Sequence, residues 1–179
     1  MRKGSKVLLS LMFVTFTALS GFVVWAAKEA SPEDLKPYPV TSDLIGNFLD
    51  KYGFRQHEAA SAEKEQIVSF KVTDKASGQT VDFLVVIFPE GKIMKIECPL
   101  VAPVPSFPAK LSALLSKLNE LNALRTIGKY CTDKDLKRVR FFHYRTVVGG
   151  LSYVDFAETL TMMQFIIFED LKAIKEITS

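Results

Sequence analysis

The stretch TVDFLVVIFPEGKIMKIEC, residues 80–98, decides the fold because two strand patterns flank a three-residue turn signal. Residues 80–88 are apolar on both faces from Phe83 onward, which predicts a central strand covered on both sides. Residues 92–98 follow the tripeptide PEG, and such a short connection favours an antiparallel hairpin. The stretch therefore predicts the middle of a mostly antiparallel sheet.

Further strand patterns lie on both sides of this hairpin. IVSFKVT (67–73) alternates apolar and polar residues, which predicts a strand with one face in water. RTIGKYCT (125–132) and KRVRFFHYRTV (137–147) predict a second strand pair, joined by a turn at residues 133–135. PLVAPVPSFP (99–108) contains four prolines and is predicted to be an extended surface connection. FRQHEAASAEKEQ (54–66) is polar and is predicted to be a loop.

Three helices are predicted around these strands. The first begins at a Thr41 or Ser42 cap and ends at Gly53, and the second begins near Ser106 and Pro108. The third begins at Ser152, which forms a capping-box variant with Asp155. The predicted buried stripes are Leu44, Ile45, Phe48, Leu49 and Tyr52 in the first helix, Leu111, Leu114, Leu115, Leu118 and Leu121 in the second, and Tyr153, Phe156, Leu160, Met163, Ile167, Leu171 and Ile174 in the third.

The element order is therefore α-β-β-β-α-β-β-α. This order predicts an α+β domain over residues 41–179, with helices on one face of a mostly antiparallel sheet. The polar, proline-bearing residues 28–40 are interpreted as a linker that precedes the domain.

Residues 1–27 have the pattern of an export signal. Basic residues at the start precede the uncharged apolar run VLLSLMFVTFTALSGFVVWAA, residues 7–27. Cleavage after Ala26 or Ala27 fits a signal peptide, but 21 apolar residues are also enough to cross a bilayer as an uncleaved anchor. Either alternative places the domain outside the cytoplasm, in the periplasm or on the outer side of the inner membrane. Contact with a membrane is expected only through residues 7–27.

The net charge of +3 comes from this leader. Three of the 23 basic residues precede residue 27, so the remaining 20 balance the 20 acidic residues. A neutral domain has no general field that attracts nucleic acid, and export argues against nucleic acid as well. The basic residues Lys134, Lys137, Arg138, Arg140 and Arg145 are interpreted as a solvated sheet edge or, alternatively, as a contact for an acidic segment.

Little in the sequence indicates chemistry. No GxSxG, HExxH, CxxC or Gly-rich phosphate loop is present, so we expect no enzyme, no cofactor and no metal. His57 is expected to be solvated. Cys98 and Cys131 are either a disulfide or two packed thiols. The alternative function is a small-molecule-binding or enzymatic domain with a pocket near His143, Tyr144 and Asn119.

The last helix carries a second apolar set in addition to its buried stripe. These residues are Val154, Met162, Phe165 and Phe168. A helix that is apolar on nearly all sides is covered on two sides. The set therefore predicts either a thick core or a partner-binding surface for a homodimer or a client peptide.

The strings LNELN (118–122) and YCTDKDLKRVRF (130–141), together with the element order, resemble the YbjN family. The resemblance covers about residues 41–177 and implies a regulator of bacterial sensory transduction without catalytic residues. It also implies the fold of type III secretion chaperones, which dimerise and bind polypeptide. Asn119 and Asn122 are interpreted as structural residues at a helix end rather than as a ligand pocket. We therefore expect an exported, non-enzymatic protein- or peptide-binding domain that is homodimeric.

Overall fold

The structure is a computed structural model that describes residues 30–62 and 64–179. The predicted signal peptide or anchor at residues 1–27 lies outside these residues. The helices are α1 (Ser42–Tyr52), α2 (Pro108–Leu124) and α3 (Tyr153–Thr178). The strands are β1 (His57–Ala62), β2 (Glu65–Thr73), β3 (Thr80–Ile87), β4 (Ile93–Pro103), β5 (Lys129–Thr132) and β6 (Arg138–Thr146).

All six strands form one antiparallel sheet in the order β1-β2-β3-β4-β6-β5. Residues on one face of the sheet, such as Phe70, Phe83 and Phe141, belong to a single hydrophobic core with the buried residues of all three helices. The predicted α+β fold is therefore confirmed. β3 is central, as predicted, and on its opposite face Val86 is also buried while Leu84 is half-buried.

The helix signals in the sequence act as predicted at most positions. Thr41 accepts a hydrogen bond from the Leu44 N–H at 3.2 Å, and Gly53 ends α1 with φ of 106°. Ser152 Oγ accepts from the Asp155 N–H at 3.1 Å. In α2 the cap position falls on Phe107, whose side chain makes no cap hydrogen bond, so Ser106 does not cap this helix.

The predicted helix stripes are buried at their centres and partly exposed at their margins. The fully buried members are Ile45, Phe48, Leu49, Leu114, Leu118, Leu121, Phe156, Leu160, Met163, Ile167, Leu171 and Ile174. Leu44, Tyr52, Leu111 and Tyr153 are half-buried, and Leu115 is exposed. The first two helices thus bury narrower apolar stripes than the sequence predicts, whereas α3 also buries Ala157, Thr159, Ile166 and Asp170.

Two predicted loops are wrong because they contain strand residues. HEAASA in the predicted polar loop forms β1, which pairs with β2 from His57↔Phe70 to Ala62↔Glu65. The predicted proline-rich connection contributes the last residues of β4, which runs to Pro103. The register of β4 against β6 shifts between Cys98 and Ala102. A bulge of this kind tolerates a residue that cannot donate to the ladder, which explains how Pro99 fits there.

Residues 31–40, which belong to the linker predicted over residues 28–40, pack on the domain instead. Tyr38 and Leu151 exchange two backbone hydrogen bonds of 3.1 and 2.9 Å, and the Val154 N–H donates to the Asp34 carbonyl at 3.2 Å. The Asp34 carboxylate is buried and forms an ion pair with Lys51, whose hydrogen bond lowers the Asp34 pKa. We refer to residues 31–40 as the N-terminal strap.

Of the two alternatives for the cysteines, the structure has the free thiols, and the sheet register explains why no disulfide forms. Cys98 and Tyr130 both pair with Phe141, whereas Cys131 pairs with Arg140, the next residue along β6. The two cysteines therefore lie on opposite faces of the sheet, two strand spacings or about 10 Å apart. A disulfide requires Cα atoms closer than about 7 Å. Both thiols are free, and burial raises the pKa of Cys98 to about 12.

Candidate functional site

The second apolar set of the last helix, which we call the α3 patch, lies on the side of α3 away from the core. It consists of Val154, Met162, Phe165 and Phe168. Phe165 is 37% exposed, and the other three are half-buried. Phe168 also packs against the hydrophobic core. A thick core therefore accounts for part of the patch, and Phe165 remains partly exposed to solvent.

Charged residues flank Phe165 along the same side of α3. Glu158 precedes it by seven residues and Lys172 follows it by seven. Because seven residues make nearly two helical turns, the three side chains lie almost in line. Glu158 is half-buried and Lys172 is exposed. The patch thus has an apolar centre with Glu158 at one end and Lys172 at the other, and exposed Glu169, which pairs with Arg125, lies one turn from Phe165.

The sheet has two edges, and the β5 edge is closed by Asn122 of α2. Asn122 Nδ2 donates to the Tyr130 carbonyl at 2.9 Å, and the Tyr130 N–H donates to Asn122 Oδ1 at 2.6 Å. The amide thus bonds both backbone groups of one strand residue, as a neighbouring strand would. Asn119 lies on the exposed surface of α2. Only Asn122 therefore holds the segment that follows the helix.

Replacing Asn122 by alanine is expected to lower the free energy of unfolding by about 1–2 kcal/mol, because two backbone groups lose their partner. The exposed Asn119→Ala variant serves as the matched control and should change stability by less than about 0.5 kcal/mol. Urea denaturation followed by circular dichroism measures both. Equal effects at the two positions would contradict a special role for Asn122.

The β1 edge, defined by residues 57–62, differs from the β5 edge. No described segment of the chain pairs with its outer side. Glu58, Ala59, Ala60 and Ser61 are exposed, and most of these side chains are small. Alternate residues of an edge strand direct N–H and C=O groups outward. Sequence reasoning missed this edge because HEAASA lacks the apolar alternation that identifies a half-buried strand.

The pocket of the alternative function, near His143, Tyr144 and Asn119, is not formed. His143 is half-buried on β6, and its Nδ1 accepts from the Gly128 N–H at 3.4 Å. Burial and the nearby Arg145 charge lower the His143 pKa. Tyr144, the next residue of the strand, points to the opposite face and is 52% exposed. These side chains do not converge on one concave site.

The expectation of a solvated His57 is wrong. His57 begins β1, and its ring lies 3.0 Å from the position that a Cβ on Gly46 would occupy. Its Nε2 is 3.2 Å from Asp50 Oδ1 of α1. Since Gly46 has no side chain, α1 can approach β1 over this ring. Sequence periodicity gave no signal for this contact.

Two of the five basic residues near β6, Arg140 and Arg145, form internal ion pairs. β6 lies between β4 and β5, so the predicted edge position for this strand is wrong. Arg145 Nη2 bonds Asp155 Oδ1 at 2.8 Å, and Arg140 Nε bonds Glu97 Oε1 at 2.5 Å. Glu97 is 1% exposed, and its other oxygen lies 2.6 Å from Lys95 Nζ. Carboxylates therefore neutralise Arg140 and Arg145, whereas Lys134, Lys137 and Arg138 are exposed at the β5–β6 turn.

A second buried carboxylate joins α2, β5 and α3. Asp170 is 4% exposed and accepts from both the Nε and the Nη2 of Arg125. It also accepts from the Tyr130 hydroxyl at 3.0 Å. Burial and the Asp170 charge raise the Tyr130 pKa. Every contact of this network links elements that lie far apart in the chain, so we interpret it as structural.

Among residues 30–62 and 64–179, no helix is both long and apolar enough to span a bilayer. The same part of the chain contains no group of three or more His, Cys, Asp or Glu side chains arranged to hold a metal ion.

Comparison with known proteins identifies one family. Residues 41–167 match the family model YbjN, described as "Putative bacterial sensory transduction regulator". The fold is similar to the crystal structure of YbjN from E. coli, described as "a putative transcription regulator", with a TM-score of 0.53 and 17% sequence identity over 75% of this chain and 94% of that chain. At this identity the likeness concerns the fold alone. No curated protein sequence matches the chain. The expected YbjN resemblance is confirmed, and the likeness to type III secretion chaperones stays a prediction.

Proposed function

Because the chain belongs to the YbjN family, we propose that it is a non-enzymatic regulatory domain that is exported, acts as a homodimer and binds protein. The family description supports the regulatory role. The pattern of residues 1–27 supports export. Retention of these residues on the mature protein would favour an anchor, and their loss a signal peptide. The observation that carries the homodimer is the arrangement of the α3 patch.

The α3 patch is complementary to itself. In an antiparallel pair of α3 helices with a two-fold axis at Phe165, residues whose numbers sum to 330 lie opposite each other. Phe165 then meets Phe165 of the second copy, and Met162 meets its Phe168. At the ends, Glu158 meets Lys172 of the second copy, and the symmetry repeats both contacts.

This pairing buries the one exposed aromatic side chain of the patch. Phe165 leaves water, and flexible Met162 packs against an aromatic ring, a favourable sulfur contact. The two Glu158–Lys172 pairs lie at the rim, where they fix register more than they add affinity. Val154 lies three turns from the axis, at the end of the contact. A single helix pair is smaller than a standard interface of about 800 Å² per partner. We therefore expect a dimer of micromolar affinity.

The position of the axis predicts a specific cross-link. In a Cys131→Ser background, Phe165→Cys is expected to form an intermolecular disulfide, because residues on a two-fold axis face their own copies. Lys175→Cys is the matched control, since it would lie about 30 Å from its symmetry mate. Mixing Glu158→Cys with Lys172→Cys protein should also give a cross-linked heterodimer. Non-reducing electrophoresis of the full-length protein in neutral detergent measures all three.

Affinity provides the second test of the dimer. Phe165→Glu is expected to raise the dissociation constant about thirtyfold, because it places two like charges at the centre of the contact. Sedimentation equilibrium in density-matched detergent measures this shift. A wild-type protein that stays monomeric at tens of micromolar would contradict the proposed homodimer. Equal cross-linking at positions 165 and 175 would contradict a two-fold axis at Phe165.

A further inference from the structure

We propose that the β1 edge binds an extended, basic segment of another protein as an additional strand of the sheet. This surface is separate from the α3 patch, so the proposal does not depend on the homodimer. It names a site and a ligand chemistry for the protein-binding role.

The two sheet edges differ in their capacity to accept a strand. At β5, the Asn122 amide already bonds the N–H and C=O of Tyr130. At β1, six residues lie at the edge, and their side chains include Ala59, Ala60 and Ser61. Proteins commonly protect edges with lysine, proline, bulges or a covering segment. The described part of the β1 edge has none of these devices, and its one carboxylate, Glu58, opposes acidic rather than basic strands; β1 can therefore accept an added basic strand, whereas Asn122 occupies the β5 edge.

Three carboxylates near β1, those of Asp43, Asp50 and Glu58, favour a positively charged added strand, and we call them the acidic rim. Asp43 and Asp50 of α1 lie three residues before and four residues after Gly46, on the side of the helix that meets His57. Asp50 contacts the His57 ring itself. Glu58 adds a third exposed carboxylate on the strand. The basic residues Arg55 and Lys64 lie beyond the two ends of β1.

The same rim argues against a second copy of this chain at this edge. Antiparallel pairing of two β1 edges would place Asp43 and Asp50 of one copy near the same carboxylates of the other. Like charges held together cost free energy and disfavour the pairing. A segment with lysine or arginine at alternate positions would instead place cations along the rim while its backbone pairs with β1.

Peptide binding tests the proposal directly. The probe is a fluorescein-labelled decapeptide of alternating lysine and valine, titrated with full-length protein in neutral detergent and followed by fluorescence polarisation. We expect saturable binding, no binding of the glutamate–valine analogue, and loss of binding when every peptide nitrogen is methylated. The double variant Asp43→Asn/Asp50→Asn should bind about tenfold more weakly. Glu176→Gln, a charge loss at the far end of α3, is the matched control and should leave affinity unchanged.

Each alternative result overturns a defined part of the proposal. Absence of binding, or equal binding of the methylated peptide, excludes strand addition, because charge attraction alone does not need backbone donors. An unchanged affinity in the double variant places the ligand elsewhere. Hydrogen exchange provides a second readout, since the bound peptide should slow exchange in β1 and not in β5. Phe165→Glu should retain peptide binding, so failure of the homodimer and failure of this site are distinguishable.

Discussion

Replacing Gly128 by alanine is expected to lower the free energy of unfolding by about 3 kcal/mol. Gly128 precedes β5 and has φ of 67°, a conformation that L residues rarely adopt. A Cβ there would also lie 2.6 Å from Cε1 and 2.9 Å from Cε2 of the Phe141 ring. Phe141 is fully buried, so the ring cannot move aside without disturbing the core. Strain and overpacking therefore add at this position.

Gly78 provides a matched control for this prediction. It has nearly the same φ, 69°, but nothing lies within 4 Å of the corresponding Cβ position. Gly78→Ala should therefore cost only the backbone term, about 1 kcal/mol. Urea denaturation of both variants measures the change in unfolding free energy. If the m value, the dependence of this free energy on urea concentration, is the same for both, the difference between them is the contribution of the contact with Phe141. If both substitutions lower stability equally, the contact with Phe141 has no energetic effect.

Replacing Asp170 by alanine is expected to cost about 3–5 kcal/mol. The carboxylate is buried, accepts two guanidinium hydrogen bonds from Arg125, and accepts a third from Tyr130. Its removal leaves the buried Tyr130 hydroxyl without an acceptor and the partly buried Arg125 guanidinium with exposed Glu169 as its remaining carboxylate. Unfolding in urea measures the loss, and a double-mutant cycle with Arg125→Met isolates the pairwise contribution.

Glu169 is the control for Asp170, because it contacts the same guanidinium at 3.0 Å from an exposed position. Exposed ion pairs contribute less than about 1 kcal/mol, so Glu169→Ala should have a small effect. A loss at position 170 no larger than that at position 169 would show that burial does not strengthen this network.

Sequence patterns predicted those helices and strands in which apolar residues recur with the period of the buried face. Val68, Phe70 and Val72 alternate because one face of β2 is covered, and the cap at Ser152 marks the start of α3 because helix ends need donors satisfied locally. β1 gave no such signal, since most of its side chains are small and exposed. The Arg125–Asp170 contact was also invisible, because it joins residues 45 positions apart.

The candidate site was predicted to a similar extent. The excess of apolar residues on the last helix identified the α3 patch, but only the geometry shows that Phe165 is exposed while Phe168 also contacts the core. Asn119 and Asn122 have the same local sequence pattern, since each follows a leucine near the end of the helix. Their roles differ because β5 runs beside Asn122 and not beside Asn119, and a single sequence does not encode which strand will lie next to a helix end.

The N-terminal strap determines where a mechanical pull would enter the domain. Its two backbone hydrogen bonds to Leu151 and the bond from Val154 to Asp34 fasten it at the first turn of α3. If residues 1–27 act as a tether, tension would load the contacts of Asp34 with Val154 and Lys51 first and the Tyr38–Leu151 pair next, so the strap would detach before α1 is pulled from the domain.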